Sequence, residues 1–173
     1  VGKTKRRQVY CQRSVKVIEG EWKNMKCPVC GKSDSKVIVA EKLLEDPLRP
    51  GQDLRDYKIL CFNGQPEYII CVDGRYTDHY CHVVYDPQWN KQDVIIGQSS
   101  NSANYQKPDT LEEMLKIART LSKDFPAVRI DLYDIGGQIL FGEMTYFPWS
   151  GYMHFQPDEF DFILGEKFVL KRN

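Results

Sequence analysis

Two acids, Asp131 and Glu143, stand on either side of Gly136-Gly137 within β-rich text. Ala127-Val128-Arg129-Ile130-Asp131-Leu132-Tyr133 precedes the glycines and Gln138-Ile139-Leu140-Phe141-Gly142-Glu143-Met144 follows them. Paired as a hairpin, the two runs bring Asp131 near Glu143 on one sheet face. Arg129 then lies beside the first acid and Thr145 beside the second, because side chains two apart in a strand point the same way. Facing carboxylates repel unless positive charge lies between them. Two readings meet that demand. A hard cation such as Mg²⁺ is commonly held by one or two carboxylates together with substrate phosphates. Alternatively, Arg129 pairs with one of the acids and the face is simply polar and solvated. Spacing alone does not choose between them.

Other residues with chemistry are less well grouped. Cys27-Pro28-Val29-Cys30-Gly31 is half of a zinc knuckle, and a tetrahedral site needs two further ligands. Cys11 lies upstream, and Cys81, His79 or His82 would have to supply the fourth; otherwise Cys27 and Cys30 are a reduced pair in a surface loop. His79 and His82 are spaced for a helix, but Tyr80, Val83 and Val84 around them read as strand, so exposed or capping histidines are the plainer reading. Tyr146-Phe147-Pro148-Trp149, with Tyr152 and Phe155, would either stack a sugar or a base or pack beneath a final helix. Val1-Gly2-Lys3-Thr4 ends like a P-loop but lacks its leading glycine and preceding strand.

The elements that must position these groups are strands with one clear helix. Lys36 to Ala40 reads as a short buried strand. Asp56 to Phe62 and Pro66 to Val72 flank Asn63-Gly64, a strong hairpin signal, and His82 to Tyr85 extends the antiparallel sheet. From Thr110, the apolar positions Leu111, Met114, Leu115, Ala118 and Leu121 follow a helical face. Thr110 and Glu113 have capping-box spacing, and Phe125-Pro126 ends the helix. In the second hairpin Val128, Ile130 and Leu132 point one way and Arg129, Asp131 and Tyr133 the other. A short helix from about Pro157 to Gly165 closes the chain. Residues 1–35 form an irregular segment carrying the Cys27–Cys30 loop, and 36–173 a domain of α+β class, mainly antiparallel sheet with packed helices.

Composition limits the partners. The 173 residues hold 24 Lys plus Arg and 24 Asp plus Glu, so no net charge draws the chain to nucleic acid. The basic start, Lys3, Lys5, Arg6 and Arg7, reads as a solvated terminus. No stretch approaches the roughly 18 apolar residues of a membrane span, and no signal-peptide core is present; a soluble intracellular protein is the expectation. Cys61 and Cys71 fall inside apolar strands, where cysteine behaves as a small buried hydrophobe.

Four motifs in order carry a resemblance: Val39-Ala40-Glu41-Lys42-Leu43-Leu44, Asp56-Tyr57-Lys58-Ile59-Leu60-Cys61-Phe62-Asn63-Gly64, Val128-Arg129-Ile130-Asp131-Leu132-Tyr133 and Phe141-Gly142-Glu143-Met144-Thr145-Tyr146-Phe147-Pro148. From about Lys36 to its end the chain resembles the carboxyl-terminal part of the TupA-like branch of the ATP-grasp superfamily, associated with bacterial cell-surface polysaccharide or teichuronopeptide synthesis. The resemblance implies an ATP- and Mg²⁺-dependent ligase that activates a small-molecule, glycan or peptide carboxylate in the bacterial cytoplasm. Glu41, Lys42, Leu43, Leu44 and Glu45 would form the hinge that reads adenine, with Glu45 or Asp46 toward the ribose. Lys58 and Arg75, with Arg129, would act as catalytic cations on phosphates or acyl-phosphate. Asp131 and Glu143 would hold magnesium, joined by Thr145 where the superfamily more often has Asn. The expected upstream lobe, with its lysine and glycine-containing loop, is not evident before Lys36, which points to a partial enzyme. A non-catalytic nucleotide- or glycan-binding module, or a protein associated with glycosyl transfer, is the rival expectation.

Overall fold

The computed structural model describes residues 44–75 and 77–170. The Lys36–Ala40 strand, the Cys27–Cys30 loop and the hinge positions Glu41, Lys42 and Leu43 lie outside the described residues. In chain order the elements are β1 (Asp56–Phe62), β2 (Gln65–Asp73), β3 (Cys81–Tyr85), β4 (Ile95–Ile96), α1 (Leu111–Ser122), β5 (Ala127–Ile135), β6 (Gln138–Thr145), β7 (Phe155–Gln156) and α2 (Glu159–Lys167). Five strands make one antiparallel sheet in the order β3-β2-β1-β5-β6, and β4 pairs with β7 in a small second sheet. The α+β class holds.

Two tight turns set the hairpins. Asn63-Gly64 joins β1 to β2 with φ of 49° and 80°, and Gly136-Gly137 joins β5 to β6 with φ of 59° and 89°. Positive φ at both central residues matches the twist of the flanking strands, which is why Asn-Gly and Gly-Gly stand there. Each hairpin also contains a one-residue slip. Between Leu60 and Cys61 the pairing moves from Tyr68 to Pro66. Between Asp131 and Leu132 it moves from Glu143 to Phe141, leaving Gly142 as the extra residue. Continued regularly from Ile135↔Gln138, the β5–β6 ladder would set Asp131 opposite Gly142. The bulge sets it opposite Glu143 and turns that carboxylate to the Asp131 face.

One sheet face is dry. Ile59, Ile69, Val83, Ile130 and Leu132 pack there against Leu111, Met114, Leu115 and Ala118 of α1. The helix departs from its expected outline in two places. Leu121 is exposed and Ser122 takes the buried position, since the stripe advances by four residues from Ala118. Thr110 makes no capping hydrogen bond. Its hydroxyl instead donates to Asp134 Oδ2 at 2.6 Å, a charged acceptor on β5 that orients the side chain.

The opposite face is divided. Its β2–β3 side, with Ile70, Val72 and Val84, is covered by Val94, Ile96, Phe155, Phe160 and Leu164. Its β1–β5–β6 side carries charge. The expected alternation of β5 into a core side and a polar side therefore does not become buried against exposed: Val128 through Leu132 are all buried. Phe155 packs against Phe160 under α2, whereas Tyr146, Phe147, Trp149 and Tyr152 are exposed, so of the aromatic cluster only Phe155 lies beneath the last helix. Cys61, Cys71 and Cys81 are free and buried.

A side chain at the β6 bulge has little room, because a Cβ on Gly142 would lie 3.1 Å from the Asp131 carbonyl oxygen and 3.0 Å from the Tyr133 ring. Gly142→Val is expected to destabilise the domain by about 1–3 kcal/mol, read as a lower urea midpoint at unchanged slope. A midpoint equal to the wild type's would mean that the bulge does not need glycine.

Candidate functional site

Strand register assembles the charged face. Lys58 pairs with Asp131 across β1 and β5, and Asp131 with Glu143 across β5 and β6. Asp56 lies two residues before Lys58 and opposite Tyr133; Arg129 lies opposite Leu60 and Thr145. Since side chains repeat every second residue, Asp56, Lys58, Arg129, Asp131, Tyr133, Glu143 and Thr145 share one side of the sheet.

Asp131 is the centre, 2% exposed. Arg129 Nε donates to its Oδ1 at 2.6 Å and Arg129 Nη2 to its Oδ2 at 2.8 Å, while Lys58 Nζ reaches the same Oδ2. Arg129 Nη2 also donates to Glu143 Oε1 at 2.6 Å and to Thr145 Oγ1 at 3.1 Å, and Thr145 Oγ1 stands 3.1 Å from Glu143 Oε1. Arg129 thus pairs with both acids rather than with one, and its guanidinium is buried although Glu143 is open. Burial works against its charge, but the Asp131 and Glu143 contacts prevail and raise its pKa.

A second knot lies one pleat along. Lys58 Nζ is 2.7 Å from Asp56 Oδ2, and Arg75, just beyond β2, donates Nη2 to the same oxygen at 3.0 Å. Burial raises the Asp56 carboxyl despite Lys58, with Asp131 adding to the rise. Tyr133 is pushed up to about 12, first by burial and then by Asp56. His82, in β3 beyond Val72, is buried with Nε2 2.7 Å from Tyr80 Oη. Burial, followed by the charges of Arg75 and Lys58, pushes its pKa down to about 4. Tyr133 lies on this face as its alternation with Arg129 and Asp131 predicts, whereas Asp56 was missed as a site residue although its two-residue spacing to Lys58 could have revealed it.

Three acids (Asp56, Asp131, Glu143) and three bases (Lys58, Arg75, Arg129) thus meet across three strands and the end of a fourth. The sequence-derived cations and metal ligands converge. Of the hinge positions, Leu44 and Glu45 are exposed; neighbouring Asp46 is buried and accepts the Leu48 N–H at 3.0 Å as a turn residue. A model of the TupA-like ATP-grasp family matches residues 21–169. The chain belongs to that family. No curated protein and no solved structure matches it.

An ATP-grasp chain of this family is expected to meet ATP and Mg²⁺, and the donor set can be tested against the cation. Hard oxygen donors from Asp131, Glu143 and Thr145 lie together, which suits Mg²⁺ in kind. Glu143 is open, with its side chain 61% exposed. Both Asp131 oxygens already accept from Arg129 or Lys58, so a cation at Asp131 would share the carboxylate with those bases. Among the described residues no three His, Cys, Asp or Glu side chains are grouped to hold a metal, and carboxylates this few leave phosphate and water to complete a magnesium shell. The zinc expectation gains no support: Cys27 and Cys30 lie outside the described residues, and His79, His82 and Cys81 form no cluster of their own. No described helix is long and apolar enough to cross a membrane.

Removing Arg129 would leave Asp131 buried and short of its main partner. Arg129→Gln is expected to cost about 3–5 kcal/mol of stability, measured by urea unfolding at neutral pH; a loss under 1 kcal/mol would show that Lys58 alone suffices.

His82 gives a pH signature. Its folded pKa lies below the unfolded value, so between about 6.5 and about 4 the unfolded chain binds more protons and stability falls as pH falls. Between pH 7 and pH 5 the wild type should lose about 2 kcal/mol more than His82→Gln does. Parallel losses in the two proteins would contradict a neutral buried imidazole.

Proposed function

We propose that this face binds Mg·ATP and serves carboxylate activation of the ligase type. The observation that carries the reading is the register-fixed meeting of Asp131 and Glu143 with Lys58, Arg75 and Arg129, within a chain matched by the family along most of its length. A carboxylate oxygen of the substrate attacks the γ-phosphorus and the bond to ADP breaks. A nucleophile then attacks the acyl carbon and expels inorganic phosphate.

That chemistry asks the protein for positioning and for charge, not for a nucleophilic side chain. Lys58 and Arg75, gathered at Asp56 Oδ2, can offer their remaining N–H groups to phosphate oxygens. Arg129 keeps Asp131 and Glu143 in register and offers positive charge to the same space. Asp131 and Glu143, with Thr145 as a neutral oxygen, would hold magnesium, which would supply positive charge against the phosphates. Glu41, Lys42, Leu43, Leu44 and Glu45 would line the adenine side. The substrate class is a small-molecule, glycan or peptide carboxylate for bacterial cell-surface polysaccharide, handled in the cytoplasm where ATP is supplied.

A second reading has its own support. The three acids and three bases are mutually paired, an arrangement suited also to a non-catalytic nucleotide- or glycan-binding module. Turnover assays with candidate carboxylates separate the two.

Calorimetric titration of Mg·ATP tests the shared part. Binding should need Mg²⁺, and the double change Asp131→Asn with Glu143→Gln should weaken it by about tenfold or more. Unchanged affinity in the double variant would remove the metal role; no binding by the wild type would remove the nucleotide reading.

A further inference from the structure

We infer that Asp56 is a positioning residue, which gathers Lys58 and Arg75 at one oxygen and so sets where the two cations meet a phosphate chain. The inference rests on the Mg·ATP reading of the face and adds to it a residue that contacts neither metal nor nucleotide.

Asp56 opens β1, the central strand, with its backbone in register with Val72 of β2 on one side and Tyr133 of β5 on the other. Its backbone is thus paired on both sides, although it is the first residue of the strand. The side chain is almost fully buried, and one oxygen, Oδ2, takes both Lys58 Nζ at 2.7 Å and Arg75 Nη2 at 3.0 Å. The other oxygen, Oδ1, is buried without a partner among the described residues. An unpartnered buried acceptor is costly, and such costs recur at sites shaped for something other than stability.

A purely structural duty would be to brace the turn after β2. That turn has its own supports. The Gly74 N–H donates to Asp73 Oδ1 at 2.9 Å, the Thr77 N–H donates to the Gly74 carbonyl at 2.9 Å, and Arg49 and Arg55 clamp Asp73. What remains for Asp56 is the guanidinium itself. Arg75 is nearly half exposed and comes from a connection, so without an anchor it would sample many rotamers. Lys58 is likewise drawn between Asp56 and Asp131 rather than resting wholly on Asp131. Both cations are thus pre-aligned, and the ordering cost of their meeting an anion is already met.

Two measurements on the full chain test this. The first, without ligand, is ¹⁵N relaxation of the Arg75 Nε–H in wild type, Asp56→Asn and Asp56→Glu. Order should fall in Asp56→Asn and partly return in Asp56→Glu. The second is Mg·ATP titration, where Asp56→Asn should bind about tenfold more weakly, with Asp56→Glu intermediate and a smaller further loss, through Lys58 alone, when Asp56→Asn is added to Arg75→Gln. Unfolding midpoints show whether each variant is folded, and Asp56→Glu stands in if Asp56→Asn is not. Arg75 equally ordered in Asp56→Asn, or a full additional loss in the Arg75→Gln background, would overturn the inference. A wild type that fails to bind Mg·ATP, while Arg75 still loses order in Asp56→Asn, would support the positioning and overturn the nucleotide reading instead.

Discussion

Asp131 sits out of solvent between Lys58 of the neighbouring strand and Arg129 of its own, and the charged face is arranged around that contact. A carboxylate moved from water into a low-dielectric setting loses several kcal/mol of solvation unless cations and donors replace the water. Lys58 and Arg129 are that replacement. Each then needs a counter-charge of its own, which Asp56 and Glu143 supply. The result is a row in which removing Arg129 is the costly change, because it leaves Asp131 buried with Lys58 as its one remaining cation. The same demand fixes the register of three strands, since a one-residue slip would turn the whole set into the α1 side.

The sheet can carry such a row because its two sides are treated differently. α1 seals one side with aliphatic packing. On the other side β4, β7 and α2 cover only the β2–β3 half. The charged half is left with a graded exposure, from fully buried Asp131 to open Glu143. That gradient suits a site where a ligand must reach one carboxylate while another stays dry and pre-organised. The exposed aromatic run from Tyr146 to Tyr152 begins next to Thr145, and within it Trp149 and Ser150 hold left-handed backbone, with φ of 51° and 56°.

Much of the sheet was legible locally. Asn63-Gly64 and Gly136-Gly137 announce turns through residues that accept positive φ, and period-two text around them gives strands. The apolar face of α1 from Leu111 to Ala118 follows from helical spacing. The pairing of Asp131 with Glu143 was reached from the same text, but the two-residue turn by itself leads to Gly142; the bulge that corrects it is nearly silent in sequence, marked by a lone glycine within a strand. Thr110 and Glu113 had the spacing of a capping box, yet the Thr110 hydroxyl went to Asp134, a partner far along the chain.

By itself, then, the sequence determined where the chain turns, which residues alternate together, and, through the order of four motifs, the family. The turns and the alternation depend on neighbours a few residues apart. Tertiary structure decided what the charges do. Lys58 and Asp131 are 73 residues apart in the chain, and no local rule sets β1 against β5 or draws Arg75 onto Asp56. Only the packed sheet withdraws water from Arg129 and Asp131, and that withdrawal converts acids and bases on one strand face into a fixed network.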